Sequence, residues 1–455
     1  MQEIHARHVL TPNGWEQDRI VRIDSSGRID EVSPALSGLE GSVDLLLPAP
    51  TNLHSHSFQR AMAGLTEARG PDPSDSFCTW RHLMYRFLDR RTPDHVEAIA
   101  ALAFVEMLES GFGSVAEFHY LHHASGGRAY ADPAEMATRI ARAADLTGIG
   151  LTLLPVLYMQ GGCDGRALEG GQLRFGCDLD RFSVLHQSSA VALKALPEDT
   201  RLGVAPHSLR AVPSNALRQA AELVPGAPVH LHLAEQQAEV EEVEAHLGAR
   251  PVSWLINHHT PDERWCLIHC TQMTAGETRR LASTGAIAGL CPITEANLGD
   301  GIFDGVTFSN AGGRFGVGSD SNVHISLWSE LAMLDYSQRL RDRRRAALAT
   351  PHHSTGRVLF DAACRSGAQA AGRHAGAIAP GHWADLMAIR TDTPGLCARH
   401  GDAWLDSLVF GGHGEQHVVD VWSAGRHVVQ QGQHIARDRI ALAFMDIMKD
   451  LEDVM

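Results

Sequence analysis

Apolar runs that are typical of β-strands alternate with Ala- and Glu-rich helical segments through the middle of the chain. Segments such as 93–109, 133–147 and 235–247 have helical character and separate eight strand-like runs. This alternation is the pattern of βα repeats, in which each helix returns the chain to a parallel strand. The pattern therefore predicts an α/β fold. The eight predicted strands end near His56, His119, Leu157, His207, His232, His269, Leu290 and Asp320.

Six of these eight predicted strand ends carry a histidine or an aspartate. In a barrel of eight parallel strands the carboxyl ends converge on one mouth, where catalytic groups collect. We therefore expect a (β/α)8 TIM-like barrel over residues 48–373, with an active site at the carboxyl ends of its strands. The loop 64–92 is long enough to cover that mouth as a lid, but a surface insertion explains its length equally well.

The two ends of the chain have a different texture, of short strand-like runs separated by turn signals. Residues 20–24 and 418–422 are examples. We expect a small β-sandwich domain formed jointly by residues 1–47 and 374–436, followed by an amphipathic C-terminal helix over 437–455. That helix offers apolar side chains for docking on its own barrel or on a second subunit: Ile440, Leu442, Phe444, Ile447 and Met448.

Composition and charge narrow the class of protein. The 455 residues are 44% hydrophobic and 20% charged, as in ordinary globular proteins. A formal charge of −15 argues against nucleic acid as a partner, because phosphates require a basic surface. We find no signal-peptide pattern and no apolar run near the ~20 residues that cross a bilayer, so we expect a cytoplasmic protein without a membrane partner. A homodimer is the base-rate expectation.

The first predicted strand ends in a pair of histidines, His54 and His56. Alternation along a strand points both rings the same way. A lone His-x-His is a weak signal, because many such pairs are surface or core histidines. His232 and Asp320 at later strand ends complete a set of three neutral nitrogens and one carboxylate, which suits zinc with an open position for water. Iron(II) and manganese are the next choices. The set indicates a metal-dependent hydrolase.

Glu235 and His269 are the candidate proton-transfer residues. The spacing of residues 232–235, His-Leu-Ala-Glu, would let the carboxylate reach back over the metal site and shuttle protons. An acidic residue that stabilises a helix N-terminus would have the same placement. His269 ends another predicted strand and could stabilise an attacking hydroxide or share the proton transfer, although an isolated histidine is more often structural.

Together these motifs resemble the amidohydrolase superfamily, in its branch of mononuclear-zinc deaminases. HxH at strand one, HxxE at strand five, His at strand six and Ser-Asp at strand eight match that branch, as does the split terminal β-domain. The resemblance covers nearly the whole chain. Binuclear members use a strand-four lysine, and residues 201–207 contain none. The resemblance therefore implies one zinc ion per chain.

A narrower resemblance is to those members of the superfamily that deiminate N-formimino-L-glutamate in histidine degradation. One flank departs from the pattern, because a histidine is expected soon after Ser319-Asp320-Ser321 and Asn322 stands there instead. The matching stretches are 54–64, 79–81, 117–120, 205–210 and 291–301. By this resemblance the substrate-binding residues are Gln59, Arg81, Tyr120, His207 and Arg210, with the arginines taking carboxylates.

The implied reaction is zinc-dependent hydrolysis of N-formimino-L-glutamate, a small anionic substrate, to N-formyl-L-glutamate and ammonia. By the resemblance, Glu235 passes a proton to the imino nitrogen, and His269 and Asp320 accept protons as the tetrahedral species collapses. The same species could expel glutamate and give formamide. Only the resemblance selects ammonia.

Two alternative functions stay open. A purine-type deaminase of the same branch, acting on guanine or an adenosine derivative, would need ring-stacking aromatic residues, and only 6% of the chain is aromatic. A catalytically silent metal-binding scaffold could use the same barrel, because a fold does not prove a function. Two arginines on mouth loops, Arg81 and Arg210, favour a dicarboxylate, and the full set of catalytic groups argues against silence.

Overall fold

The computed structural model of the protein describes residues 2–35, 41, 43–68 and 84–451. Arg81, one of the predicted substrate-binding residues, lies outside these ranges, as does the middle of the 64–92 loop. Of that segment, residues 84–89 are helical. Within the described ranges, no helix combines the length and apolarity needed to cross a membrane.

The strands follow the chain in this order: β1 (Gln2–Thr11), β2 (Gly14–Ile23), β3 (Ile29–Pro34), β4 (Val43–Pro48), β5 (Thr51–Ser55), β6 (Ser114–His119), β7 (Gly150–Leu157), β8 (Arg201–Leu202), β9 (Ala205–Pro206), β10 (Val229–Leu233), β11 (Trp265–His269), β12 (Ile287–Leu290), β13 (Arg314–Val317), β14 (Leu386–Ile389), β15 (Val418–Ser423), β16 (Arg426–Gln430) and β17 (Gln433–His434).

The α-helices whose bounds are described are α1 (Pro93–Glu109), α2 (Glu135–Thr147), α3 (Leu179–Ala192), α4 (Ser214–Glu222), α5 (Gln237–Leu247), α6 (Pro251–His259), α7 (Ala275–Ala282), α8 (Pro292–Leu298), α9 (Gly305–Asn310), α10 (Leu327–Asp342), α11 (Thr355–Ala370), α12 (Asp402–Phe410) and α13 (Arg437–Lys449).

Local sequence signals set the helix ends. Helix α1 begins after Thr92, whose hydroxyl accepts the His95 N–H at 3.3 Å, and Pro93 occupies the first helical position. Helix α2 ends at Gly148, which has φ 69° and so adopts the left-handed conformation that glycine permits. The cap at Thr92 and the proline after it explain why the predicted helix 93–109 begins where it does.

The parallel strands form two sheets. Strands β5 to β8 make one sheet in chain order, with β9 paired to β7, and β10 to β13 make the other. Isolated parallel bridges join them at both edges, Val204 to Val229 and Ser208 to His232 at one edge and Ser55 to Asp320 at the other. The α/β fold with parallel strands that the alternating sequence predicts is therefore confirmed.

The carboxyl ends of these strands lie where the sequence predicts them. Four of the eight predicted ends, 56, 207, 232 and 320, lie within three residues of the ends of β5, β9, β10 and β13. The loops that carry the candidate site therefore leave one side of the parallel strands. Four strands end at the predicted residue, namely at His119, Leu157, His269 and Leu290.

The two ends of the chain share one eight-stranded sheet, in the order β17-β16-β15-β14-β4-β1-β2-β3. Strand β4 pairs in parallel with β1 and antiparallel with β14, so it joins the N-terminal strands to the C-terminal ones. The prediction that both termini contribute strands to a shared β-layer is confirmed, whereas the finer expectation of a β-sandwich stays a prediction. Its own apolar core includes Ile4, Val21, Leu46, Leu386 and Trp422.

The C-terminal helix α13 packs on its own chain, against α1. Ile440 is buried there, and Phe444, Ile447 and Met448 are partly buried against the main core. Leu442 is 59% exposed. The amphipathic pattern therefore reflects docking on the same chain for four of the five apolar residues.

Candidate metal centre and active site

Four predicted ligands meet at the carboxyl ends of the parallel strands. One potential ligand atom from each of His54, His56, His232 and Asp320 lies within 4.8 Å of the others, and all four residues are buried. Oδ1 of Asp320 lies 3.4 Å from Nε2 of His54 and 3.2 Å from Nε2 of His56. The separation between Nε2 of His54 and Nε2 of His232 is 3.2 Å.

Backbone pairing brings these ligands together. The Asp320 N–H donates to the His54 carbonyl at 3.0 Å, and the His56 N–H donates to the Asp320 carbonyl at 2.9 Å. The His232 N–H donates to the carbonyl of His207 at 3.0 Å. The ligand geometry is thus fixed by the same bonds that join the strand ends of the two sheets.

The ring environments fit a metal ion. Nδ1 of His56 lies 3.0 Å from the Phe118 carbonyl, and Nδ1 of His232 lies 3.1 Å from the His207 carbonyl. Only an N–H can donate to a carbonyl, so in both rings Nδ1 carries the proton and the Nε2 lone pair faces the cluster. Burial lowers the pKa of His54 to about 3, which keeps that ring neutral. Lone pairs this close repel one another, and a cation between them removes the repulsion.

A polar network holds the loop that carries Asp320. Asn52 donates to the Ser319 hydroxyl at 2.6 Å, and that hydroxyl donates to Oδ1 of Asn322, also at 2.6 Å. Nδ2 of Asn322 donates to the Ser55 hydroxyl at 3.1 Å and to the Asp320 carbonyl at 3.1 Å. Asn322 therefore ties the eighth strand end to the first. It is the residue that follows Ser319-Asp320-Ser321, where the resemblance leads us to expect a histidine.

The two predicted proton-transfer residues are neighbours. Nε2 of His269 lies 3.7 Å from Oε1 of Glu235 and 3.9 Å from Oδ2 of Asp320, while its Nδ1 lies 3.3 Å from Oε1 of Glu295. Burial alone would lower the pKa of His269, but Glu235 and Glu295 outweigh it and raise that pKa to about 10. For the carboxyl group of Glu235 burial acts in the opposite direction, and it is the main cause that raises the pKa of Glu235. These groups form a row of buried titratable side chains beside the metal cluster.

Glu235 does not belong to the helix that follows it. Helix α5 begins at Gln237 with Gln236 as its N-cap, so Glu235 precedes the cap. Its carboxylate points toward His269, and its own N–H donates to Glu239. This geometry favours the proton-transfer role over the helix-terminus role that the sequence left open.

The loops around the site contain strained backbone. Non-glycine residues rarely adopt positive φ, and such residues persist only where surrounding contacts enforce them. In this chain several residues with positive φ are predicted metal ligands or proton-transfer residues, or lie close to one. This indicates that the fold imposes the geometry of the site. These residues are Ala234 (φ 52°), His269 (φ 72°), Cys270 (φ 51°), Asp320 (φ 43°) and Asn322 (φ 56°).

Four of the five predicted substrate-binding residues line one cavity beside the metal cluster. Gln59, Tyr120, His207 and Arg210 contribute to its wall, and the cavity has a volume of about 190 Å³. Nε2 of Gln59 donates to the Tyr120 hydroxyl at 2.8 Å, and Nδ1 of His207 lies 3.1 Å from the Ser208 hydroxyl. The fifth, Arg81, is outside the described residues, so its position stays a prediction.

Arg210 supplies a positive charge to this cavity. Burial disfavours a charged guanidinium, but the carboxylates of Glu239 and Glu235 outweigh burial and raise the pKa of Arg210. Nε of Arg210 is buried and has no hydrogen-bond partner in the part of the chain that the structure describes. A buried donor of this kind is available to a carboxylate ligand.

The sequence pattern did not single out several residues of the site. Glu295 contacts His269, and Glu239 bonds to two backbone amides beside Glu235. Tyr158 directly follows β7, so the strand-end rule could have found it. No sequence signal marks Phe175, which lies far from any strand and packs on Tyr120 with ring centroids 4.6 Å apart.

Comparisons with known proteins agree with this geometry. The family model that matches is that of the Amidohydrolase family, over residues 45–428. Formimidoylglutamate deiminase of Pseudomonas aeruginosa is 46% identical, with 100% of both chains covered. The 8-oxoguanine deaminase of the same species is 28% identical over 83% of this chain and 81% of its own. An amidohydrolase structure from Brucella melitensis is 45% identical, has a TM-score of 0.94, and covers 99% of this chain and 100% of its own.

Proposed function

This chain belongs to the amidohydrolase family, and we propose that it catalyses the zinc-dependent hydrolysis of N-formimino-L-glutamate to N-formyl-L-glutamate and ammonia. One observation carries the proposal, which is 46% identity over the whole chain to a protein named formimidoylglutamate deiminase. Because both chains are covered completely, the alignment includes every segment that contributes to the cavity. The buried cationic side chain of Arg210 supports an anionic substrate.

In this proposal the two bridged parallel sheets are the (β/α)8 TIM-like barrel, and the shared terminal sheet is the β-sandwich. The domains are residues 1–47 with 374–436 for the β-sandwich, 48–373 for the barrel and 437–455 for the C-terminal helix. Bridges at both edges of the parallel sheets and a separate apolar core in the terminal sheet support this division.

One zinc ion per chain is held by His54, His56, His232 and Asp320, with iron or manganese as possible replacements. Three nitrogens and one carboxylate oxygen match the preferences of zinc. Zinc bound there lowers the pKa of a water molecule to about 7 and so supplies a nucleophile at neutral pH.

In the reaction the oxygen of a water molecule bonds to the formimino carbon and becomes the formyl oxygen. Both protons of that water pass to the imino nitrogen, whose bond to the carbon breaks, so that it leaves as ammonia. Glu235 carries one of these protons, because its buried carboxyl has a raised pKa and lies at the cavity wall. His269 and Asp320 carry the other, since Nε2 of His269 faces both Glu235 and Asp320. Glu295 holds the opposite nitrogen of His269 and fixes the ring.

Substrate recognition is assigned to Gln59, Arg81, Tyr120, His207 and Arg210. Arg210 binds one carboxylate of the substrate, and Arg81 binds the other. The reaction belongs to histidine degradation and takes place in the cytoplasm, in a homodimer that has neither nucleic acid nor a membrane as a partner. The formal charge of −15 supports the exclusion of nucleic acid.

A purine-type deaminase is the second candidate, because aromatic side chains do line the cavity. Tyr85, Tyr120, Tyr158 and Phe175 are among them, although only 6% of the whole chain is aromatic. A relative named 8-oxoguanine deaminase is 28% identical. The low overall aromatic content therefore does not argue against a ring-binding site.

A substrate panel tests the proposal. Ammonia release by the purified, zinc-loaded protein is measured with N-formimino-L-glutamate, guanine, 8-oxoguanine and adenosine, and bound metal is quantified. We expect the highest kcat/KM with N-formimino-L-glutamate and one zinc per chain. Preference for a purine would transfer the assignment to the second candidate. Release of formamide instead of ammonia would show that the other C–N bond breaks. Bound metal without activity on any substrate would favour a silent scaffold.

A further inference from the structure

The carboxylate of Glu239 spans two consecutive backbone amides beside Glu235. Oε1 of Glu239 accepts the N–H of Ala234 at 3.1 Å, and Oε2 accepts the N–H of Glu235 at 2.9 Å. Glu239 is 1% exposed and lies in the first turn of α5. Hydrogen bonds to a buried carboxylate are among the stronger ones in proteins, so this contact is a stiff connection between α5 and the end of β10.

The backbone at this point needs such support. Ala234 has φ 52°, a left-handed conformation that is strained for a residue with a Cβ. On the other side of the turn, the Ala234 carbonyl accepts the N–H of Gln272 at 2.8 Å. The peptide that links Ala234 to Glu235 is therefore held at both its carbonyl and its amide.

The direction of the Glu235 side chain depends on this peptide. A change in the dihedral angles of Ala234 would rotate the Cα–Cβ bond of Glu235 and move its carboxylate away from His269, which it now approaches to 3.7 Å. Proton transfer is sensitive to such displacements, because donor and acceptor must stay within hydrogen-bond reach.

We infer that Glu239 is a positioning residue that fixes the left-handed turn at Ala234 and thereby aims the Glu235 carboxylate at the reacting centre. The inference rests on the proposed function for Glu235 but assigns Glu239 no contact with the substrate. Among the described residues, the carboxylate of Glu239 hydrogen-bonds to the backbone amides of Ala234 and Glu235.

The negative charge of Glu239 also acts on the Arg210 guanidinium, so one of the two test variants keeps that charge. Glu239→Asp keeps the charge and shortens the side chain by one methylene, so it cannot span both amides. We expect kcat to fall about 10- to 100-fold while KM stays within about 3-fold of the wild-type value. Glu239→Gln is the second variant; it keeps the length but replaces one acceptor oxygen by an amide NH2 group, which can only donate, and kcat should fall likewise. Glu244→Gln, an exposed substitution on the same helix, is the control and should keep wild-type kinetics.

A double-mutant cycle separates positioning from a general structural defect. If Glu239 acts through Glu235, then Glu239→Asp should cause little further loss of kcat once Glu235 is replaced by Gln. A full additional loss in that background would overturn the inference, and so would wild-type kcat in both Glu239 variants. Zinc content and melting temperature are measured on every variant, since a loss of metal or of folded protein would also lower kcat.

Amide hydrogen exchange decides the inference independently of activity. The amides of Ala234 and Glu235 should exchange at least about 10-fold faster in Glu239→Asp than in the wild type or in Glu244→Gln, because each loses a buried acceptor. Unchanged exchange at both amides would refute the clamp. If the wild type does not release ammonia from N-formimino-L-glutamate, the proposed function fails, and the exchange rates still decide the role of Glu239 in the turn.

Discussion

At Glu235 a single carboxylate has to be assigned to one of two roles, and local geometry separates them. A helix-terminus carboxylate accepts amides of its own helix, whereas the Glu235 carboxylate lies 3.7 Å from Nε2 of His269. Burial raises its pKa above the usual value of a carboxyl group, which suits a group that must both take and give a proton.

Replacing Glu235 by Gln should lower kcat by at least ~10²-fold, because an amide of the same size cannot carry a proton. Zinc content and substrate binding should be retained, since Glu235 is outside the ligand cluster. Steady-state ammonia release and metal analysis on the same preparation measure both effects. Nearly unchanged turnover would return Glu235 to a structural role at the start of α5.

Arg210→Met should weaken kcat/KM for N-formimino-L-glutamate by about 2 to 4 kcal/mol, the usual cost of leaving a desolvated carboxylate without its charged partner. The loss should be smaller for an analogue that lacks the carboxylate bound by Arg210, since removing both partners costs less than removing one. Arg81→Met should show the complementary analogue preference. Arg218→Met, an exposed substitution on α4, serves as the control. Equal losses with every analogue would argue against carboxylate recognition at Arg210.

At the scale of elements, the metal site depends on how the first and last parallel strands meet. Asn322 hydrogen-bonds to Ser55, the last residue of β5, and to the backbone of Asp320, which follows β13. Since Ser55 lies between His54 and His56, this amide connects three of the four ligands through one short network. Groups that orient metal ligands are commonly worth a factor of 10 to 100 in affinity.

Asn322→Ala should therefore weaken zinc binding by about 10- to 100-fold without removing any ligand. Competition with a zinc-binding indicator measures the dissociation constant, and circular dichroism checks that the fold is retained. Asn257→Ala, at an exposed position of α6, is the matched control and should bind zinc as the wild type does. Wild-type affinity in Asn322→Ala would show that the backbone bonds between His54 and Asp320 suffice.

The sequence predicts those features that depend on local pattern. Strand ends such as His269 and helices such as 93–109 follow from apolar periodicity and capping, so their bounds agree closely with the structure. The parallel pairing of β4 with β1 is non-local, and nothing in either segment specifies it. Glu295 reaches His269 across 26 positions of sequence, and only the closed arrangement of strand ends brings them together.

Composition was the weakest guide to the site. An aromatic content of 6% describes the chain as a whole, yet Tyr120, Tyr158 and Phe175 gather at one cavity. They come from two strand ends and a loop, so their meeting is a property of the tertiary fold. Positive φ at Ala234 is likewise invisible in the sequence, because alanine carries no preference for that conformation.

At the scale of the whole molecule, a buried ionic network joins the terminal sheet to the parallel-stranded unit. The Arg373 guanidinium donates to the carboxylates of Asp199 and Asp385, and Arg426 of β16 donates to the same Asp199 at 2.8 Å. Asp199 precedes β8 and Asp385 precedes β14, so the network spans both units. A Cβ at Gly150 would come within 2.7 Å of the Arg373 guanidinium, which explains why this position lacks a side chain.

Arg373→Met should lower the free energy of unfolding by about 3 to 5 kcal/mol, because it leaves two buried carboxylates without their shared cation. Arg22→Met is the matched control, since Arg22 forms partly exposed ion pairs on the terminal sheet that are each worth at most about 1 kcal/mol. Urea unfolding of the zinc-loaded proteins, followed by circular dichroism, gives both values. We also expect Arg373→Met to unfold with the terminal sheet separating first, since Arg373 is a principal polar link between the two units. A loss in Arg373→Met no larger than in Arg22→Met would mean that apolar packing, and not this network, holds the two units together.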